Sequence, residues 1–146
     1  MKKHILTLVV ILFSFNGLIG QEWLTDFTIA KEIASNENKS IILVFQGSDW
    51  CAPCIKLDKE VWSTPEFKEL SKDYFVMILA NFPRKRKNAL TTEKQEHNNK
   101  LAEKYNPNGF FPYVVVLNPK GDILGNLGHE KTTPKLYFNK LKAFEK

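Results

Sequence analysis

The sequence predicts an α/β domain in which a central mixed β-sheet is flanked by helices on both faces. Short unbroken apolar runs at 41–45, 74–79 and 112–117 are rich in Val, Ile and Phe, the pattern of strands buried on both sides. Segments with apolar residues at three- and four-residue spacing stand between them, so helices alternate with strands. Breakers separate the two kinds of segment: Gln46-Gly47-Ser48-Asp49, Ser63-Thr64-Pro65, Asn106-Pro107 and Asn118-Pro119-Lys120-Gly121-Asp122, where turns and caps belong.

Residues 1–20 stand apart from that domain. Lys2 and Lys3 make a basic start, Ile5 to Phe15 are almost all apolar, and Asn16, Gly17 and Gly20 follow. This is the layout of a secretory signal peptide, and the apolar run is shorter than the roughly 20 residues of a spanning helix. Cleavage is expected after Gly20, leaving Gln21 first, with an uncleaved anchor as the alternative. Removing the first 20 of 146 residues leaves 126, enough for one domain, 21–146, with a core of its own.

Within the domain, Thr25 or Asp26 caps a first helix on which Phe27, Ala30 and Ile33 share a face. Ile41 to Phe45 form the first strand. From Cys51, the residues Ile55, Leu57, Val61 and Trp62 recur at helical spacing and predict an inward stripe. Pro65 ends that helix and starts a short one through Phe67 and Leu70. Tyr74 to Leu79 form the second strand. Thr92 and Gln95 have the spacing of a capping box, and their helix runs to Asn106, anchored by Leu101, Ala102 and Tyr105. Pro112 to Leu117 is the third strand, and a turn at 118–122 leads to the fourth, Ile123 to Leu127. Thr133-Pro134 opens a last helix with Leu136, Leu141 and Phe144 expected inside. Trp23 and Trp62 are read as core.

The chain has two cysteines, three residues apart at Cys51 and Cys54. A structural disulfide closing so small a loop adds only about 2 kcal/mol. A zinc knuckle needs two more ligands, and after the leader only His97 and His129 remain. The surroundings favour a redox pair. A buried strand, a tight turn and a helix put Cys51 at the helix start and Cys54 one turn inside. Free backbone N–H groups and the dipole there favour a thiolate, so Cys51 is the expected nucleophile with a lowered pKa. The more buried Cys54 is the expected resolving thiol, always close enough for a fast intramolecular step. Pro53 fits the first turn, where its missing N–H has no acceptor waiting.

Trp50-Cys51-Ala52-Pro53-Cys54 after a buried strand resembles the active site of the thioredoxin superfamily. The longer run from Gly47 to Cys54 is similar to the secreted thioredoxin-like proteins of Gram-negative bacteria. The resemblance extends from about residue 25 to the end and implies a thioredoxin-like fold. It also implies that Trp50 flanks the sulfur and that Phe111–Pro112 is a cis bond beside the cysteine pair. Trp50, Pro53, Phe111 and Pro112 would then shape the substrate groove. Two departures stand out. Phe111 and Tyr113 replace the small or β-branched residue and the threonine common around that proline. Phe45 occupies the position, six before the first cysteine, where thioredoxins commonly bury an acid. Lys56, Asp58, Glu60 or a water is left to take the Cys54 proton, and each of those side chains reads more simply as a solvated helix charge.

The formal charge is +5, falling to +3 without Lys2 and Lys3, a balance that calls for no nucleic-acid partner. Arg84-Lys85-Arg86-Lys87 is a basic run in a long loop; it reads as solvated, with docking of an acidic partner as the functional alternative. The sequence therefore predicts an exported, monomeric thiol–disulfide oxidoreductase acting on protein disulfides in the periplasm as a reductant. It needs no cofactor or metal, and a membrane electron carrier is the implied donor. The rival readings are a disulfide oxidase or isomerase, or a non-catalytic copper-handling module.

Overall fold

The computed structural model describes residues 23–146, so the leader at 1–20 and its junction with Gln21 lie outside the described residues. Helix α1 (Phe27–Glu37) begins at Asp26, whose carboxylate accepts the amides of Thr28 and Ile29 at 2.8 and 3.1 Å. It ends at Asn38, in the left-handed region at φ 52°, a conformation Asn tolerates. Strand β1 (Ser40–Gln46) follows, then α2 (Ala52–Leu57), which widens into a π-helical turn over Asp58–Trp62. The remaining elements are α3 (Pro65–Ser71), β2 (Phe75–Asn81), a 3₁₀ turn at Arg86–Asn88, α4 (Thr92–Tyr105), β3 (Tyr113–Leu117), β4 (Ile123–Leu127) and α5 (Pro134–Ala143).

The sheet is mixed, in the order β2-β1-β3-β4. β1 runs parallel to β2, with Val44 opposite Leu79, and antiparallel to β3, with Val44 opposite Val114. The alternation of side chains along a strand divides the core in two. Ile42 and Val44 pack with Leu57, Trp62, Phe67 and Leu141, under α2, α3 and α5. Ile41, Leu43 and Phe45 pack with Ala30, Ala34, Leu101 and Tyr105, under α1 and α4. Trp62 meets Trp23, Phe67 and Tyr137 edge-on at 5.9, 4.9 and 5.3 Å between centroids, a geometry that aromatic quadrupoles favour. The outer edge of β2 is covered: Leu24 donates to Met77 O and accepts from Leu79 N, each at 2.9 Å.

This is the architecture expected, with local corrections. Ile55 is half exposed because α2 turns only Cys54 and Leu57 inward before its π-helical turn. Leu136 is exposed as well; Tyr137 and Phe138 take the inward positions on α5 beside Leu141. Phe144 lies partly buried over Gly125, where a Cβ would meet the ring at 2.1 Å. The cap of α4 is Thr91, whose hydroxyl accepts from Lys94 N, one residue before the Thr92 anticipated. The Gln95 side chain turns to Asn99 and closes no capping box.

Candidate active site at Cys51 and Cys54

β1 delivers the chain to Gly47, whose carbonyl accepts the amides of Trp50 and Cys51 at 3.3 and 2.9 Å. That tight turn leaves Cys51 extended as the N-cap of α2, with Pro53 in the first turn. Its sulfur accepts the amide of Cys54 at 3.3 Å, and the two cysteines form a disulfide with Cα atoms 5.2 Å apart. Cys51 is 4% exposed and Cys54 2%, so in the oxidised form access hardly distinguishes them; their positions on the helix do.

Trp50 packs directly on the turn. A Cβ at residue 47 would come within 2.2 Å of the indole, so only glycine lets the ring lie there. The indole N–H donates to Phe82 O at 2.7 Å, and the ring meets Phe111 edge-on at 5.5 Å. The Phe111–Pro112 peptide is cis. Because Phe45 pairs with Tyr113, Pro112 lies at the end of the sheet from which Cys51 is presented. The Trp50, Phe111 and Pro112 predicted for the groove are thus gathered at one end of the sheet with the cysteines and Pro53.

The basic run also reaches this end of the sheet. Arg84 stacks on the Trp50 ring with its guanidinium carbon 3.6 Å from the centroid, the geometry of a cation–π contact. Asp49 holds the loop down: its carboxylate accepts Arg84 N at 2.9 Å, Lys85 N at 3.0 Å and the Asn88 side chain at 2.9 Å. The Arg84 amide, then the Asn88 amide and Lys85, keep the Asp49 carboxyl below its ordinary value. Ser48 is tied to Asn81, which accepts its amide at 3.0 Å and donates to its hydroxyl at 2.8 Å. Sequence reasoning missed the roles of Asp49 and Arg84, because partners 35 residues apart leave no local signal.

Phe45 is fully buried in the apolar cluster beneath α1 and α4, so the place of the common buried acid is filled with hydrocarbon. Lys56 and Glu60 face each other across an exposed 3.9 Å ion pair, and Asp58 accepts the Ser63 hydroxyl at 3.0 Å. These are ordinary helix charges. His97 accepts the Phe27 amide on Nε2 at 3.1 Å and faces the Asn98 side-chain oxygen through Nδ1 at 3.0 Å. The Nδ1–H tautomer satisfies both contacts, and neither nitrogen is then free to join the cysteines. Among the described residues no three His, Cys, Asp or Glu side chains cluster as a metal site.

A family model described as a thioredoxin-like domain matches residues 27–136. The disulfide bond reductase DsbH of Chlamydia pneumoniae is 32% identical over 114 residues, covering 78% of this chain and 67% of that protein. The thioredoxin-related protein DsbJ of the same organism is 26% identical over 110 residues, 74% of this chain; the match spans only 31% of that longer protein. Among solved structures, a DsbH oxidoreductase superimposes with a TM-score of 0.78 at 30% identity, covering 86% of this chain and 84% of that one. A Thermus thermophilus thioredoxin shares the fold, with a TM-score of 0.64 at 19% identity over 86% of this chain and 87% of its own.

Proposed function

The chain belongs to the thioredoxin-like family, and we propose that it is an exported thiol–disulfide oxidoreductase that reduces protein disulfides through Cys51 and Cys54. The observation that carries this reading is the cysteine pair itself, bonded across the first turn of α2 with the Cys51 sulfur as the helix cap. In the dithiol form, the Cys51 thiolate attacks one sulfur of a substrate disulfide. The S–S bond breaks, the displaced sulfur leaves as a thiolate and takes a proton, and a mixed disulfide joins Cys51 to the substrate. Cys54, deprotonated with water as the acceptor, attacks the Cys51 sulfur and releases the second substrate thiol. Two electrons pass to the substrate, and the protein is left as the disulfide described above.

Trp50, Phe111 and Pro112 form the wall against which the substrate chain lies, an extended peptide pairing with the backbone beside the proline. The reducing direction is supported by the name of the DsbH relative, a disulfide bond reductase. The signal-peptide pattern of residues 1–20 supports action in the periplasm, where a membrane electron carrier would restore the dithiol. Replacement Cys54→Ser removes the resolving thiol, so a mixed disulfide through Cys51 should persist and release its partner on reduction. Accumulation of such adducts with Cys51→Ser in its place would reverse the two roles. Equilibration against a glutathione buffer fixes direction, because about 30 mV corresponds to roughly 1.4 kcal/mol in this two-electron couple. A potential near that of the strongly oxidising members, about −120 mV, would make the protein an oxidase.

A further inference from the structure

We propose that the loop carrying Arg84 to Lys87 is a fixed, cationic rim of the active site that selects protein disulfides flanked by acidic residues. The inference rests on the oxidoreductase reading and names its substrate class.

The rim is attached to the residues immediately before the nucleophile. Asp49, two residues before Cys51, holds the amides of Arg84 and Lys85 and the side chain of Asn88. Trp50, one residue before Cys51, carries the Arg84 guanidinium on its face and donates its indole N–H to Phe82 O. The two residues that immediately precede the sulfur are therefore both joined to this segment.

The cations themselves are left for a partner. Arg84, Lys85, Arg86 and Lys87 are all exposed, and none of the ion pairs among the described residues involves them. The nearby carboxylate, Asp49, engages both oxygens with backbone amides and Asn88, leaving a local excess of positive charge. Some lysines elsewhere are neutralised at close range, as in Lys72 with Glu69 at 2.7 Å and Lys140 with Glu130 at 2.7 Å; the cations of this run are not. The fold uses the loop's backbone and Arg84, and the Lys85 charge favours the Asp49 carboxylate, but Lys85, Arg86 and Lys87 form no ion pair among the described residues. On the same end of the sheet Phe111 and the half-exposed Trp50 offer an apolar wall. An acidic polypeptide segment beside its disulfide complements this pairing of charge and wall, and like-charged segments are repelled.

The test is single-turnover reduction, by the dithiothreitol-reduced protein, of three disulfide peptides identical except for flanking Glu, Gln or Lys. At about 10 mM salt, where the Debye length is ~30 Å, the Glu peptide should react roughly tenfold faster than the Gln peptide. The Lys peptide should be slowest. At about 1 M salt, where screening acts within ~3 Å, the three rates should converge. The combined replacement Lys85→Gln, Arg86→Gln, Lys87→Gln should bring the Glu-to-Gln ratio at low salt close to one. Equal rates for all peptides at low salt, or a ratio unmoved by the triple replacement, would overturn the inference while leaving the oxidoreductase reading intact. Failure to reduce any of the three would remove both. Equal peptide rates together with run-dependent binding to phosphatidylglycerol vesicles would assign the rim to a membrane surface, and the inference would be wrong.

Discussion

Helices α2 and α3 begin alike and end up doing different things. Each has an extended N-cap residue, Cys51 at φ −89° and ψ 96° and Thr64 at φ −75° and ψ 141°, and each has a proline in its first turn. In both, the cap side chain accepts the amide three residues on: Cys54 N at 3.3 Å and Phe67 N at 3.2 Å. The decisive difference is the capping atom, sulfur in α2 and oxygen in α3. The Thr64 oxygen is a good acceptor in every state of the protein, so its cap is purely structural. A thiol sulfur is a weak acceptor, and only as a thiolate does Cys51 become a charged partner for the orphan amides. The helix start that merely closes α3 thus favours, in α2, the ionised form that reacts.

Making α2 begin as α3 does should change the protein most. Cys51→Ser restores an oxygen cap, and we expect dithiothreitol-driven insulin reduction to fall about a thousandfold or more while the fold is retained. The melting curve should show no more than the loss of the small disulfide loop, about 2 kcal/mol. Residual turnover well above background would place the attacking group elsewhere. The converse change, Thr64→Ala, should destabilise the protein by about 1 kcal/mol and leave insulin reduction at the native rate. A lost activity there would mean that α3 takes part in the site.

The smallest effect lies just upstream of the sulfur cap. The Asp49 carboxyl is held below its ordinary value of 3.8, chiefly by the Arg84 amide. A depressed carboxyl stabilises the folded state above the unfolded value and loses that contribution as pH falls through the folded one. The Arg84 and Lys85 amide resonances should therefore move together with a midpoint below 3.8, the ordinary value of an aspartate. In Asp49→Ala their hydrogen exchange should rise several-fold. A midpoint above 3.8 would show that the loop is not held by this carboxylate.

What was legible in the sequence was what local pattern encodes. Ile41 to Phe45 read as a doubly buried strand and are one; Cys51 read as a helix start and caps α2; Phe111–Pro112 followed from the family likeness and is cis. Ile55 and Leu136 misled because helical spacing marks a face without saying how wide the buried stripe is. Thr91 and Thr92 are equally good caps in isolation, and it is Thr91 that accepts the Lys94 amide. The Asp49 clamp and the Arg84 stack had no local trace, because each joins segments that only the finished sheet brings together. Arg84 to Lys87 consequently looked like any solvated run until their neighbours were known.

The bridge between Leu24 and the edge of β2 has a bearing on how the chain comes together. Leu24 is secured by hydrogen bonds to Met77 and Leu79, more than fifty positions further along. A polypeptide made from its N-terminus presents Leu24 early, yet its partners follow only after the cysteines and all of α3. The first residues of the domain must therefore wait, unpaired, until β2 has been made. Chain order and three-dimensional closure thus run apart at this seam: the segment of the domain that is made first is fixed only by a strand made much later.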